Sequence, residues 1–248
     1  MTRNKISFDE IREIYVNFID SCGRFNFFTR SFEMQKEKAT ECAQYISLIK
    51  SYKAQAIDRN SELEANHFFH MQCMMNAMKS SLEMWVKIKE NQFEKAWCLL
   101  VDAQEYTEVA LKVADYEGVR NLESKLASIE HSIFPDWALY NSPGHTETIG
   151  KCSICHKNFF LCDHIENKIY LGRLCQRVDR EIIEANHVAL VKNPKDRRCI
   201  ITKITDDDGK TLDYFTWEES DKQLSGNPKA DEMMISAIIL SFSSLDLS

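Results

Sequence analysis

From Arg24 to Glu117 the chain contains neither glycine nor proline. Those two residues end helices and make turns, so their absence from a stretch rich in Ala, Glu, Lys, Met and Leu predicts consecutive helices. The first helix opens just before this stretch. Ser7 and Glu10 are spaced as a capping box, in which each side chain satisfies the other residue's free backbone amide. Its apolar face is Ile11, Ile14, Tyr15, Phe18, Ile19 and Cys22, and Gly23 follows as a stop. Further helices are expected over about 30–57 and about 61–89. Asn91 with Glu94 predicts a second capping box and a helix running towards Asp115. Gly118 separates it from a last helix ending near His131, before Phe134-Pro135.

Asn91, Phe93, Ala96, Leu100 and Ala103 fall at the spacings of the turn and second helix of a tetratricopeptide unit, and this part resembles one. The preceding helix departs from that repeat, with Met84 and Lys87 where its small residue and aromatic belong, and no second copy follows. The expectation is a helical hairpin with similar packing. On the third helix, Glu64, His67, His70 and Cys73 recur every three residues. Glu-x-x-His is half of a di-iron pattern, but the facing half is missing, so buried structural histidines among Met71, Met74, Met75 and Met78 are expected.

After Trp137 the texture changes. A polar stretch around Pro143-Gly144 reads as a linker or an ordered loop. Then Cys152, Cys155, Cys162 and Cys175, with His156 and His164, crowd into one short run. Cys152-Ser-Ile-Cys155 has zinc-knuckle spacing: two thiolates grip one ion while the amides of the turn point at the sulfurs. Tetrahedral zinc needs two more ligands. The set chosen is Cys152, Cys155, His164 and Cys175, with Cys162 in place of His164 as the alternative. His156 is expected to face solvent. Four protein ligands leave no open position, so the expectation is one structural Zn2+ per chain. Past the site, Gln176–Ala185 reads as a short helix and His187–Val191 as a strand. Cys199–Ile204 and Thr211–Trp217 read as a hairpin around the Asp206–Gly209 turn. Met233–Phe242 is apolar, with helix and strand equally compatible.

In its CxxC, CxH and final Cys the run resembles zinc-knuckle proteins in general. From Phe134-Pro135 to Asn193-Pro194 it is similar to uncharacterised bacterial zinc-binding proteins encoded near mobile elements. Asp163-His164-Ile165 after a CxxC also resembles the opening of an HNH-type nuclease, which implies a histidine that activates water. The continuation departs from that pattern: position 178 is not a cysteine, and a zinc-bound His164 cannot also be a general base.

Formal net charge is −7, yet basic residues outnumber acidic ones between 151 and 203. If 176–185 is helical, Arg173, Arg177 and Arg180 share a face, with Arg197 and Arg198 close behind. Such a face suits phosphate oxygens, or is a solvated surface paired with Asp179, Glu181 and Glu184. No Walker loop, GxGxxG, GxSxG or HExxH occurs, and no small-molecule substrate is evident. No apolar run has membrane-spanning length, so no membrane partner is expected. The N-terminus lacks a secretory pattern, and the nine cysteines suit a reducing compartment, which predicts a cytoplasmic protein.

The fold class expected is α+β: an all-helical N-terminal domain, 1–135, a linker or ordered loop, 136–150, and a small zinc-stapled α+β module with a β-hairpin, 151–248. The function expected is a non-enzymatic adaptor or regulator whose helices bind a protein partner. A nucleic-acid-binding factor is the alternative, and a divergent nuclease the second.

Overall fold

The computed structural model describes residues 7–226, 232–241 and 245–247. Five helices come first: α1 (Phe8–Gly23), α2 (Phe32–Asp58), α3 (Glu62–Lys89), α4 (Phe93–Val113) and α5 (Glu117–Ile133). Among the described residues nine strands follow, so the class is α+β as the sequence predicts. Among the described residues no helix is long and apolar enough to cross a membrane.

The capping box of α1 is present. Ser7 N donates to Glu10 Oε2 at 2.7 Å, and Glu10 N donates to Ser7 Oγ at 3.2 Å. With no glycine available, α2 and α3 each end on an asparagine in the left-handed region, Asn60 at φ 53° and Asn91 at φ 54°. Both form the paired bonds of a Schellman cap. Asn60 N reaches Ile57 O at 2.8 Å and Ser61 N reaches Ala56 O at 2.9 Å, and Asn91 and Gln92 repeat this at Ile88 O and Lys87 O. Asparagine tolerates this conformation better than other side chains, which explains the choice. It also corrects the second capping box: Asn91 terminates α3, and α4 begins after Gln92 without a side-chain cap. Gly118 lies inside α5, and the break before it is at Ala114–Tyr116.

The chain divides into two compact units. Among the described residues, the helical unit holds 7–126, 167–174 and 245–247, and the strand unit holds 127–166, 175–226 and 232–241. The division falls within α5 and differs from a single cut near residue 135. In the helical unit α3 is the axis, packed between α2 and α4 and buried on nearly all sides from Phe68 to Val86. A helix surrounded in this way is apolar around most of its circumference, which explains its many methionines. Three of its side chains hydrogen-bond outside the helix: Asn26 Oδ1 accepts from Ser81 Oγ and from Trp85 Nε1, and Gln72 Nε2 donates to Asp246 O. Asp246 also pairs with Lys50 at 2.7 Å, and its backbone N–H donates to the Tyr106 hydroxyl at 2.7 Å.

Also in the helical unit is a tight hairpin, β3 (Ile169–Tyr170) with β4 (Arg173–Leu174). Gly172 sits at its tip with φ +69°, and its N–H donates to Asn66 Oδ1 at 2.8 Å. A Cβ there would meet Ala65 O at 2.7 Å. Gly172→Ala is therefore expected to destabilise the helical unit by about 1–3 kcal/mol, the scale of enforced left-handed backbone. Gly23→Ala, which meets nothing within 4 Å, serves as the neutral control in urea unfolding.

The strand unit holds a long two-stranded ribbon, β1 (Tyr140–Glu147) with β6 (Ile182–Val191), and a short pair, β2 (Lys151–Cys152) with β5 (Arg177–Val178). Its third sheet has the order β8 (Thr211–Asp213), β7 (Ile201–Thr205), β9 (Ile235–Ala237). Residues 140–147 are thus a strand, where a linker or ordered loop was expected. Pro143 is tolerated because a two-stranded ribbon has only edges. Gly144 fits because the His187 ring lies across it, 2.3 Å from where a Cβ would stand.

The expected helix over 176–185 is absent. Asp179 turns the chain at φ 54°, and the residues on either side pair as β5 and β6. The hairpin around Asp206–Gly209 is present, with Lys203 opposite Asp213 and Gly209 at φ +78°. Within 233–242, residues 235–237 form β9, and Phe242 lies outside the described residues. Trp137 anchors this unit's core, stacked on Tyr214, edge-on to Phe215, and donating from Nε1 to Ile201 O at 3.0 Å.

Candidate metal centre

The site is built from one ladder and one turn of the strand unit. The β2–β5 pair sets Cys152 opposite Arg177, which brings Cys175, two residues earlier, against Cys152. Gly150, at φ +74°, lets the β2 backbone approach Val178 O, where any side chain would clash. Beyond Cys152 the chain makes a knuckle: His156 N donates to Cys152 O at 2.9 Å, and His156 itself is exposed, as expected, with φ 59°. The amide of Ile154 points at Cys152 Sγ, 3.4 Å away. Asn158 Oδ1 then caps a 3-10 turn, Phe159–Leu161, by accepting from Phe160 N at 3.0 Å. The chain leaves that turn extended at Cys162, so Cys162 and His164, two apart, face the same side.

This geometry collects Cys152, Cys155, Cys162 and His164, whose ligand atoms all lie within 4.8 Å of one another. Cys155 Sγ is 3.5 Å from Cys162 Sγ, and His164 Nδ1 is 3.2 Å from Cys162 Sγ and 3.8 Å from Cys152 Sγ. Tetrahedral Zn2+ with sulfur at about 2.3 Å and nitrogen at about 2.0–2.1 Å has edges of roughly 3.5–3.8 Å, so the donors fit such an ion. The cluster can hold a metal.

Cys162 and His164 are therefore brought together, where the sequence left them as alternatives. Cys175 lies outside the mutually close four, although its Sγ is 3.8 Å from Cys152 Sγ. The C-x-H spacing in an extended segment was the signal for a joint role.

The thiols push against one another electrostatically. Burial raises the Cys152 thiol, but the amides of Cys155 and Ile154 and the neighbouring sulfurs outweigh it and hold Cys152 down to about 6. Burial and the Cys152 sulfur push Cys175 up to about 12, and burial with the Cys152 and Cys155 sulfurs pushes Cys162 up to about 11. One thiolate is thus favoured and the others resist; a divalent cation at the centre reverses that resistance.

The five arginines of the expected basic surface do not form one helical face. Arg173 is in β4 of the helical unit and Arg177 in β5 of the strand unit. Arg177 pairs with Glu166 at 3.2 Å and with Glu147 at 3.6 Å, and Arg180 pairs with Glu147 at 3.0 Å. Arg197 binds Glu130, and Arg198, buried, binds Asp196. Sequence reasoning missed Glu147, the carboxylate shared by two of them. After His164 the chain continues into β3–β6, without the helix an HNH motif needs. His67 and His70 on α3 line a cavity of the helical unit. Comparison with protein families, with characterised proteins and with solved structures finds no match to this chain.

Proposed function

We propose that the chain is a non-enzymatic adaptor or regulatory protein in which one structural Zn2+ braces the strand unit and orders a loop that docks on a protein partner. Three thiolates and one imidazole are the soft donor set zinc favours, and four protein ligands close its coordination sphere. Cys152, Cys155, Cys162 and His164 are the proposed ligands. His164 directs Nδ1 at two sulfurs, which suits a ligand and not the water-activating base of a nuclease.

The observation that carries the partner reading is the pair Phe160 and Leu161, 81 % and 77 % exposed and one residue before ligand Cys162. Ile165, just past His164, is 61 % exposed. Large apolar side chains held out in water by a capped turn are the core of a contact surface, with a partner that supplies an apolar pocket. The helical unit adds Phe27 and Phe28, exposed between α1 and α2. A nucleic-acid surface draws less support, because Arg177, Arg180, Arg197 and Arg198 are already paired with carboxylates.

The test is the double variant F160D/L161D. It is expected to keep the native zinc content and circular dichroism while losing a protein that the native chain retains in crosslinked pull-downs. In parallel, metal-loaded native protein is titrated with labelled duplex DNA, single-stranded DNA and RNA at two salt concentrations. Tight binding that weakens steeply with salt would replace this reading with the nucleic-acid one.

A further inference from the structure

The helical unit contains a cavity of about 680 Å3 between α1, α3 and α5. Small-molecule sites typically enclose about 300–1,000 Å3, so this space is of ligand size. Its middle is apolar: Met71 and Met74 from α3, Ile19 from α1, and Val119 and Leu122 from α5.

Contacts across the cavity fix which groups share an end. Phe8 of α1 lies 5.5 Å from the His67 ring, and Tyr116 before α5 lies edge-on to His70 at 5.1 Å. Arg12, one helical turn beyond Phe8, therefore belongs to the His70 end. Asn26, bonded to Ser81 and Trp85 of α3, marks the opposite end. Asp20 lies about 12 Å from Arg12 along α1 by helical rise. Lys125, two and a half turns beyond Tyr116, lies with Asp20 towards that second end.

Two wall residues hold nitrogens that no described residue satisfies. His70 is 7 % exposed and its Nε2 has no partner; Asn26 is fully buried and its Nδ2 has none. The Asn26 orientation is fixed, because its oxygen accepts from the Trp85 indole N–H, which can only donate. Buried polar groups are rarely left unpaired, since each costs about 1–3 kcal/mol. Burial, helped by His67, holds His70 down to about 4, so its ring is neutral at pH 7. Among the described residues Arg12 and Lys125 have no ion-pair partner. Lys125 is pulled down by burial alone.

We propose that this cavity binds an amphiphilic organic anion, with its anionic head beside Arg12 and His70 and its apolar body along the Met71–Met74 wall. The guanidinium fork fits a carboxylate or phosphate head, and His70 supplies a neutral ring nitrogen beside it. Methionines adapt to the shape of an aliphatic chain or a ring. Among the charged residues that line the cavity, Arg12 stands at the His70 end, and Lys125 and Asp20 stand together towards the other. The site makes no use of the metal and stands or falls apart from the adaptor reading.

The test uses the full, zinc-loaded chain and four probes, dodecanoate, dodecyl phosphate and dodecylammonium below their micelle concentrations and dodecanol below its solubility limit. Isothermal titration is expected to show one anionic amphiphile per chain, bound at least tenfold tighter than dodecylammonium and dodecanol. The tighter of the two anions identifies the head group. Arg12→Gln is expected to weaken anion binding at least tenfold and to remove the preference over dodecanol. Val16→Trp, at an exposed position on the cavity wall, is expected to block all four without loss of helicity. Absence of saturable anion binding, equal binding of the ammonium probe, or binding untouched by both variants would each overturn the proposal.

Discussion

Chelating the metal is expected to unfold the strand unit. A structural Zn2+ in a small domain supplies about 10–16 kcal/mol of apparent binding energy at neutral pH, comparable to or larger than the whole stability of a typical domain. Little else holds the knuckle: β2 and β5 are two residues each, and Phe160, Leu161 and Ile165 are turned outward. With zinc at one per chain, a strong chelator or Cys155→Ser should bring metal content to zero. Hydrogen exchange should then rise across 140–166 and 175–215 while most of the signal at 222 nm, which comes from α1–α5, persists. Two further variants separate the ligand sets. Cys162→Ser should release the metal as fully as Cys155→Ser, whereas Cys175→Ser should retain it with reduced affinity. Full retention in Cys162→Ser would return Cys175 to the coordination sphere. An exchange pattern unchanged by chelation would remove zinc from the fold altogether.

The second large effect is expected at Trp97. Its side chain is fully buried on α4, beside Ala96 and Leu100, which are also inaccessible. Trp97→Ala removes the largest fully buried side chain and leaves a cavity that rigid helices cannot close, at a cost of about 3–5 kcal/mol. In a unit of this size that lowers the melting temperature by roughly 10–20 °C. Ile14→Ala is the comparison, because Ile14 is 48 % exposed despite its place in the apolar pattern of α1, and should change stability by under about 0.5 kcal/mol. A Trp97→Ala protein melting within a few degrees of native would mean that α4 repacks.

These two sites also differ in how far the sequence revealed them. The helices were legible because helix formers fill 24–117 and periodicity marks the inner faces; Ala96, Leu100 and Ala103 all prove buried. What misled was asparagine. Asn91 carries the same letter whether it caps the next helix or terminates the last, and only the left-handed backbone decides. In the strand unit local preference was a poor guide. Gln176, Glu181, Glu184 and Ala185 favour a helix, yet pairing with Lys151–Cys152 and with β1 draws their segment into strands. The metal cluster stood out from its cysteine spacing, but choosing among Cys162, His164 and Cys175 requires knowing how the knuckle closes. The cavity left almost no trace in the sequence, because its walls come from three helices whose apolar stripes look like ordinary core.

The hairpin with Gly172 at its tip has a practical consequence. The helical unit borrows Asn167–Leu174 from between His164 and Cys175, and the far-distant residues 245–247 as well. No pair of scissors applied at one point can separate the two units. A fragment ending at residue 135 would lack the amide that meets Asn66 and the Asp246 contacts to Lys50, Gln72 and Tyr106. It would expose surface that the intact chain never shows, and its aggregation would say nothing about the helices themselves.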